Sequence, residues 1–232
     1  MRVRVTTSLG LVAVTALGLY VCSTDTSEQK PTTPSSTRTG APAGADTAPA
    51  SPLSSAALAT RLLSEQDLGS GYTLKPENSS SQHEDVTVLG CPALNDLGGD
   101  AVTGGSLDFP YRAKAAFIDA DSSNSEVTEE LYSDTAAKLS TGTGRIFDVM
   151  VSCPKYQVLA GSTLLHVGVQ PIPAARLGDE QWSQLLTYST NGQRTVVKQT
   201  AVRTGTVLVI VSGTPALVDA HITGAVRTAV SR

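Results

Sequence analysis

Hydrophobic and polar positions divide the chain into three parts with different patterns. From Val5 to Val21 there are seventeen uncharged, mainly apolar residues, and residues 23–53 then contain almost no large apolar side chain. From residue 54 onward, apolar positions recur at spacings of two or of three to four residues, the periods of strands and helices. We therefore expect one folded domain, residues 54–232, behind two N-terminal segments of other kinds.

Helical spacing at the two ends of this domain predicts its first and last helices. Residues 54–68 have a capping serine at the start, leucines at helical spacing, and Gly69 after the end. Near the C-terminus, Thr214 is a predicted cap and Pro215 stands at the first helical position, where proline is favoured. The predicted buried stripe of this last helix contains Leu217, Ile222, Ala225, Val226 and Ala229.

Two further helices are predicted between them. Residues 124–139 can be capped by Ser125, and acidic residues near the start favour the positive end of a helix dipole. The side chains expected to face inward are Val127, Leu131 and Thr135. The next helix places Ile146, Val149 and Cys153 on one stripe, and Pro154 ends it.

Strand patterns occupy most of the remaining domain. Short strands are predicted at residues 72–75, 85–89, 108–120 and 164–169, with a short helix or turn at residues 92–97. Three strands then follow one another, joined by Asn191-Gly192, which suits a type I′ turn, and by Thr204-Gly205. The run "VLVIV" (207–211) is apolar throughout, which indicates a central strand covered on both faces. The predicted fold class is α+β, a mainly antiparallel sheet with packed helices.

The first 22 residues have the pattern of an export signal. Arg2 and Arg4 precede the apolar run, which is slightly short for a transmembrane helix. "LYVC" resembles a bacterial lipobox ending at Cys22, although Val21 stands where a small residue is usual. Three outcomes remain open: lipidation of Cys22, an uncleaved membrane anchor, or cleavage by the general signal peptidase after Gly18. Each places the domain outside the cytoplasmic membrane.

Residues 23–53 are rich in Ser, Thr, Pro and Ala, a composition typical of a disordered linker. Such a segment spans on the order of 30 Å and lifts a folded domain off a membrane, or it serves as an inert spacer. The formal net charge is −4, and no window clusters lysine and arginine as a nucleic-acid ligand requires. We therefore expect no nucleic-acid partner.

Two cysteines, Cys91 and Cys153, lie beyond the leader. In an exported chain such a pair predicts a disulfide. A metal site needs more ligands than this pair, and the three histidines show no CxxC or HxxxH spacing. We expect no metal and no other cofactor.

Candidates for chemistry are few. No G-x-S-x-G elbow occurs, His83 lies in a polar loop, and His221 borders the apolar stripe of the last helix. His166, inside a strand, is expected to be a hydrogen-bonded sheet residue or to line a cleft with its polar tip. Asp179 and Trp182 could bind a cationic or sugar ligand at a loop mouth, or pack at a rim without one. We expect no catalytic residues, and therefore no enzyme.

Several dispersed motifs resemble the PknH-like extracellular sensor domain of mycobacterial receptor kinases and actinobacterial lipoproteins. They are, in order, "ALATRLLSEQDLGSGY" (57–72), Cys91-Pro92, "VSCP" (151–154), "RLGDEQW" (176–182) and "VVKQTAVRTGTVLVIVSG" (196–213). The resemblance implies an extracytoplasmic α+β domain with a cleft for an unidentified ligand. Kinase-linked members carry two disulfides, whereas this chain can form one between Cys91 and Cys153, and its kinase motifs are absent.

The leading hypothesis is a non-catalytic, membrane-tethered sensor-type or ligand-binding module of the bacterial cell envelope. Its expected partners are the membrane, through the N-terminal anchor, and a small ligand or envelope component. Two alternatives stay open. One is an envelope hydrolase that depends on His166, and the other is a structural or partner-docking lipoprotein without a ligand.

Overall fold

The described residues form a broad antiparallel sheet. The computed structural model describes residues 50–76, 86–97, 107, 109–119 and 126–231. Nine strands in these ranges pair in the order β1-β3-β4-β9-β8-β7-β6-β5-β2, every pair antiparallel. Their bounds are β1 Tyr72–Leu74, β2 Val86–Leu89, β3 Tyr111–Asp119, β4 Glu126–Ser133, β5 Lys155–Ala160, β6 Thr163–Pro171, β7 Glu180–Thr190, β8 Gln193–Thr204 and β9 Val207–Gly213.

Helices pack on both faces of this sheet, which confirms the α+β fold class. The described helices are α1 Ser55–Ala59, α2 Glu65–Leu68, α3 Pro92–Asn95, α4 Ala136–Ser152 and α5 Pro215–Ser231. On one face, α1, α2 and α5 bury an aliphatic core against β3, β4, β9 and β8. On the other face, α3 and α4 cover two apolar clusters that extend from β4 to β2. Burial of these faces is the main favourable contribution to folding.

Strand β9 lies between β4 and β8, as its continuous apolar run predicts. Val207, Val209 and Val211 join the core beneath α5. Leu208 and Ile210 point the other way and pack with α4 residues. The Asn191-Gly192 turn is also confirmed: both residues have positive φ, 49° and 78°, as a type I′ turn requires.

The helix predicted over residues 124–139 is wrong. Residues 126–133 form strand β4, and the helix α4 begins only at Ala136, after the Thr135 cap. The inward face of β4 contains Val127 and Leu131 with Glu129 between them, and Glu129 is only 1% exposed. This buried carboxylate interrupts the apolar alternation that would have indicated a strand.

The single helix predicted over residues 54–68 is two short helices in the structure. The Ser54 cap is confirmed, because its Oγ accepts a hydrogen bond from Ala57 N at 3.2 Å, and Gly69 ends α2 with a φ of 100°. Between α1 and α2, Leu63 N donates to Glu129 Oε2 at 2.6 Å instead of continuing a helix.

The remaining element predictions are confirmed with small corrections. Cys153 caps the end of α4, and Pro154 follows it. In α5, Val218 is fully buried whereas Leu217 is only partly buried. Strand β5 (Lys155–Ala160) was not predicted, and it pairs with β6 on one side and β2 on the other.

A disulfide joins Cys91, at the start of α3, to Cys153, at the end of α4, as predicted. Their Cα atoms are 5.9 Å apart, a normal separation for a disulfide. The leader (1–22), the linker up to residue 49, and His83 lie outside the described residues. Within the described ranges, no helix has the length and hydrophobicity needed to cross a bilayer.

Candidate functional site

No described helix covers one half of one face of the sheet. On this face, α5 packs against β9 and β8, and α1 packs against β3 and β4. The same face continues over β7, β6, β5 and β2, where the side chains of the described strands are exposed or half-buried, apart from the buried Ser183. The Lys198–Asp219 ion pair links β8 to α5 where the covered and uncovered parts meet.

Strand register arranges the residues of this uncovered surface in two rows. The first row crosses five strands, with neighbours directly paired: Leu89, Gln157, His166, Ser189 and Arg194. The second row, two residues along each strand, is Lys155, Gly168, Thr187 and Val196. We call the surface formed by these nine residues the open face. All of them except Val196 line a concavity of about 650 Å³.

His166 lies at the centre of the first row, where its side chain has a hydrogen-bond partner and also borders the concavity. Its Nδ1 is 3.2 Å from Gln157 Nε2, so it is a hydrogen-bonded sheet residue. Its side chain is nevertheless exposed and lines the concavity. When the Gln157 amide donates to Nδ1, the hydrogen of the neutral ring is on Nε2, which becomes a donor.

Gly168 lies at the centre of the second row, between Lys155 and Thr187. A Cβ at this position would come no closer than 3.7 Å to the nearest atom, Thr187 Cβ, which is ordinary van der Waals contact. Its φ is not in the left-handed region. Neither crowding nor backbone conformation therefore requires glycine here, although glycine weakens a strand. Its effect is to leave the floor of the concavity without a side chain.

The charged groups of the open face are cationic. Lys155 and Arg194 are exposed on β5 and β8, and both line the concavity. No Asp or Glu occurs among the described residues that line it. Elsewhere, cationic side chains such as Lys114 and Arg203 form ion pairs with neighbouring carboxylates.

Asp179 lies far from His166. His166 pairs with Ser189 on β7. Trp182, which follows Asp179 closely, lies seven residues before Ser189 on that strand, about 23 Å from it. Asp179 Oδ2 accepts hydrogen bonds from Arg203 Nη1 at 3.0 Å and from Gly205 N at 2.8 Å. This carboxylate therefore stabilises the turn between β8 and β9.

Glu180 and Trp182 also have protein partners. Glu180 accepts hydrogen bonds from Arg203 Nε and from Ser140 Oγ of α4, and these bonds, Arg203 first, lower the pKa of Glu180. Trp182 stacks on Phe147 with ring centroids 6.1 Å apart. The three sequence candidates thus separate: His166 lines the open face, whereas Asp179 and Trp182 belong to a packed region elsewhere.

The residues that sequence reasoning missed are Lys155, Gly168 and Arg194. The only available signal was the period-two alternation of small and polar residues on β5 to β8, which also describes any solvated sheet face. His221 is half-buried against Tyr72, and this burial lowers its pKa. Among the described residues, no three His, Cys, Asp or Glu side chains are grouped to hold a metal ion.

A second concavity, of about 660 Å³, lies beside the start of α4. Its described lining includes Phe109, Lys138 and Gly142. Lys138 is ion-paired with Asp134, another lining residue, at 3.6 Å. Because these charges are paired with each other, this surface is the weaker candidate for a binding site.

The fold is similar to that of a solved structure, the extracellular domain of PknH from Mycobacterium tuberculosis. The two chains superpose with a TM-score of 0.56 and are 13% identical, and the match covers 76% of this chain and 97% of that one. No family model and no curated protein matches the sequence. At this identity the similarity shows a shared fold, the one expected from the sequence resemblance.

Proposed function

We propose that this chain is a sensor-type ligand-binding module of the bacterial cell envelope, non-catalytic and tethered to the outside of the membrane. Three observations support the location. The fold is similar to a domain described as extracellular, the first 22 residues have the pattern of an export signal, and Cys91 and Cys153 form a disulfide. Disulfides persist in oxidising compartments outside the cytoplasm.

The observation that carries the ligand-binding proposal is the open face. In the part of the chain that the structure describes, helices cover one half of a sheet face, and the other half contains a concavity with polar side chains around Gly168. Its volume of about 650 Å³ is in the range of small-molecule sites. The side chains converge from β5, β6, β7 and β8, so rigid strands rather than loops position them.

The test is a thermal-shift screen of the full chain against fractionated envelope extract. We expect at least one fraction to raise the melting temperature of the wild-type chain. Gly168→Leu should abolish the shift without destabilising the free chain, because a Cβ fits there and the rest of the side chain occupies the concavity. Gly224→Leu is the matched control, since this α5 glycine has nothing within 4 Å of an added Cβ. An unchanged shift in Gly168→Leu would reject the open face as the site.

Membrane tethering through Cys22 has a separate test. If a lipid on this cysteine holds the chain, Cys22→Ser moves the protein from the membrane fraction to the soluble extracytoplasmic fraction. Retention of the variant on membranes would favour an uncleaved helix instead. Release of the wild-type chain itself would indicate cleavage by the general signal peptidase.

One observation favours a second function, an envelope hydrolase. Ser189 lies directly opposite His166 on the adjacent strand, and both line the concavity. The group at hydrogen-bond distance from His166 Nδ1 is the Gln157 amide, whereas a Ser-His-Asp triad places a carboxylate there. Acyl and glycosidic substrates should therefore be assayed with the wild-type chain and with His166→Ala. Activity that the variant loses would support the hydrolase and contradict the non-catalytic proposal.

A further inference from the structure

We propose that the open face binds an anionic, hydroxylated small molecule, such as a sugar-sized body that bears a carboxylate or a phosphate. This inference deepens the function proposed above and rests on it. The argument uses the charge, the hydrogen-bonding groups and the spacing of the residues that line the concavity.

Charge is the first step. The chain has a formal net charge of −4, yet the charged side chains that line this concavity are Lys155 and Arg194. Both are exposed, and no ion pair joins either of them to a carboxylate within the described ranges. Among the described lining residues, no acidic side chain therefore neutralises the positive electrostatic potential of these two cations. A concave surface with charge of one sign concentrates ligands of the opposite sign.

Hydrogen-bonding capacity is the second step. Polar side chains on three adjacent strands, β5, β6 and β7, line the concavity between and beside the two cations: Gln157, His166, Gln170, Thr187 and Ser189. Amides and hydroxyls both donate and accept, so they suit a ligand that carries several hydroxyl groups. A purely apolar ligand would leave these groups without hydrogen bonds and would bind poorly.

Spacing is the third step. Lys155 is on β5 and Arg194 is on β8, three strand intervals apart and two residues apart along the strands, which places their backbones about 16 Å from each other. A ligand with a sugar-sized body can place its acid group on one cation and still contact the polar first row. Gly168, beside Lys155 in the second row, is on β6, between the strands of the two cations, and lets such a body approach the backbone. A lone inorganic ion would contact only part of this surface.

The experiment measures the affinity of the full chain for matched pairs of probes by titration calorimetry at low ionic strength. Glucuronate is compared with glucose, and inositol phosphate with inositol, so that the two pairs distinguish a carboxylate from a phosphate. We expect saturable binding of at least one acid and at least tenfold weaker binding of its neutral partner. Removing both cations in Lys155→Gln/Arg194→Gln should weaken the acid about tenfold or more, because charge-assisted hydrogen bonds are lost.

Two controls make the result specific. Arg227→Gln removes one exposed positive charge from α5, outside the concavity, and should leave the affinity for the acid unchanged. Gly168→Leu should abolish binding of the acid while the free chain keeps its melting temperature. Equal affinity for acid and neutral probes, no binding of either acid, or full affinity in the double variant would overturn the inference.

Failure of this inference can be distinguished from failure of the proposed function. Suppose that an envelope fraction raises the melting temperature of the wild-type chain and of Lys155→Gln/Arg194→Gln, but not that of Gly168→Leu. The open face then binds a ligand that is not anionic. In that case the proposed function stands and the ligand class is wrong. If no fraction depends on Gly168, both are wrong.

Discussion

At the scale of single residues, Glu129 is the most consequential polar group in the core. Its side chain is 1% exposed beneath α1 and α2, and one carboxylate oxygen accepts a hydrogen bond from Leu63 N at 2.6 Å. A buried carboxylate is tolerated only when its oxygens are satisfied. Here it satisfies a backbone donor at the break between the two helices and connects that break to the sheet.

Glu129→Ala should lower the free energy of unfolding by about 2 kcal/mol or more, because Leu63 N–H loses its acceptor and a cavity forms. Urea unfolding followed by circular dichroism measures this loss. Glu126→Ala, on the same strand, is the control: its ion pair with Lys75 is exposed, so removal costs at most about 1 kcal/mol. Equal losses in the two variants would contradict a structural role for the buried carboxylate.

Glu129 also illustrates which parts of the structure the sequence pattern does not predict. The strongly patterned segments, β9 with "VLVIV" and the Asn191-Gly192 hairpin, were predicted correctly because local pattern and tertiary environment agree there. β4 was mistaken for a helix because a glutamate occupied an inward position. The open face could not be predicted, because which half of a sheet stays uncovered depends on where distant helices pack. His166 was found, but Gly168 and Arg194 carry no sequence signal of their own.

At the scale of elements, the disulfide connects α3 to α4. Cys91 and Cys153 are 62 positions apart, and closing a loop of this size stabilises the folded state by about 4 kcal/mol on the chain-entropy model. Cys91→Ala/Cys153→Ala should therefore unfold at much lower urea concentration than the wild-type chain. Addition of a reductant to the wild type should give a similar loss, and no loss in either case would contradict the predicted contribution.

A second connection joins β7, the turn between β8 and β9, and α4. Arg203 donates to Asp179 and Glu180, and Glu180 also accepts from Ser140 of α4. Because these bonds lower the pKa of Glu180, its contribution to stability is present above the unfolded pKa of about 4.3. That contribution is lost as the pH falls through the lower folded pKa.

Arg203→Gln should reduce this acid-dependent loss, since the pKa of Glu180 then returns toward its unfolded value. At pH 7 the variant should be less stable by about 1 kcal/mol, because the carboxylates are partly exposed and screened. Urea unfolding of both chains at pH 7, 4 and 3 measures the difference. An identical pH dependence of the two chains would contradict the role assigned to Glu180.

At the scale of the whole molecule, the residues that stabilise the fold and the residues proposed to bind a ligand occupy different parts of the sheet. The half that α1, α2 and α5 cover contains the aliphatic core, and the opposite face is held by α3, α4 and the disulfide. The open face adds little to that core, so its side chains are free to contact a ligand at low cost to folding. This division is what makes Gly168→Leu a usable test, since it changes the concavity without changing the core.

The most direct measurement is methyl NMR of the full chain during titration with an envelope fraction that raises its melting temperature. The account predicts that the largest shifts occur at Thr187 and Val196, whose side chains lie on the open face. Methyl groups of Leu217 and Val230 on α5 should move little. Shifts confined to α5 or to the concavity beside α4, with Thr187 and Val196 unchanged, would contradict the account.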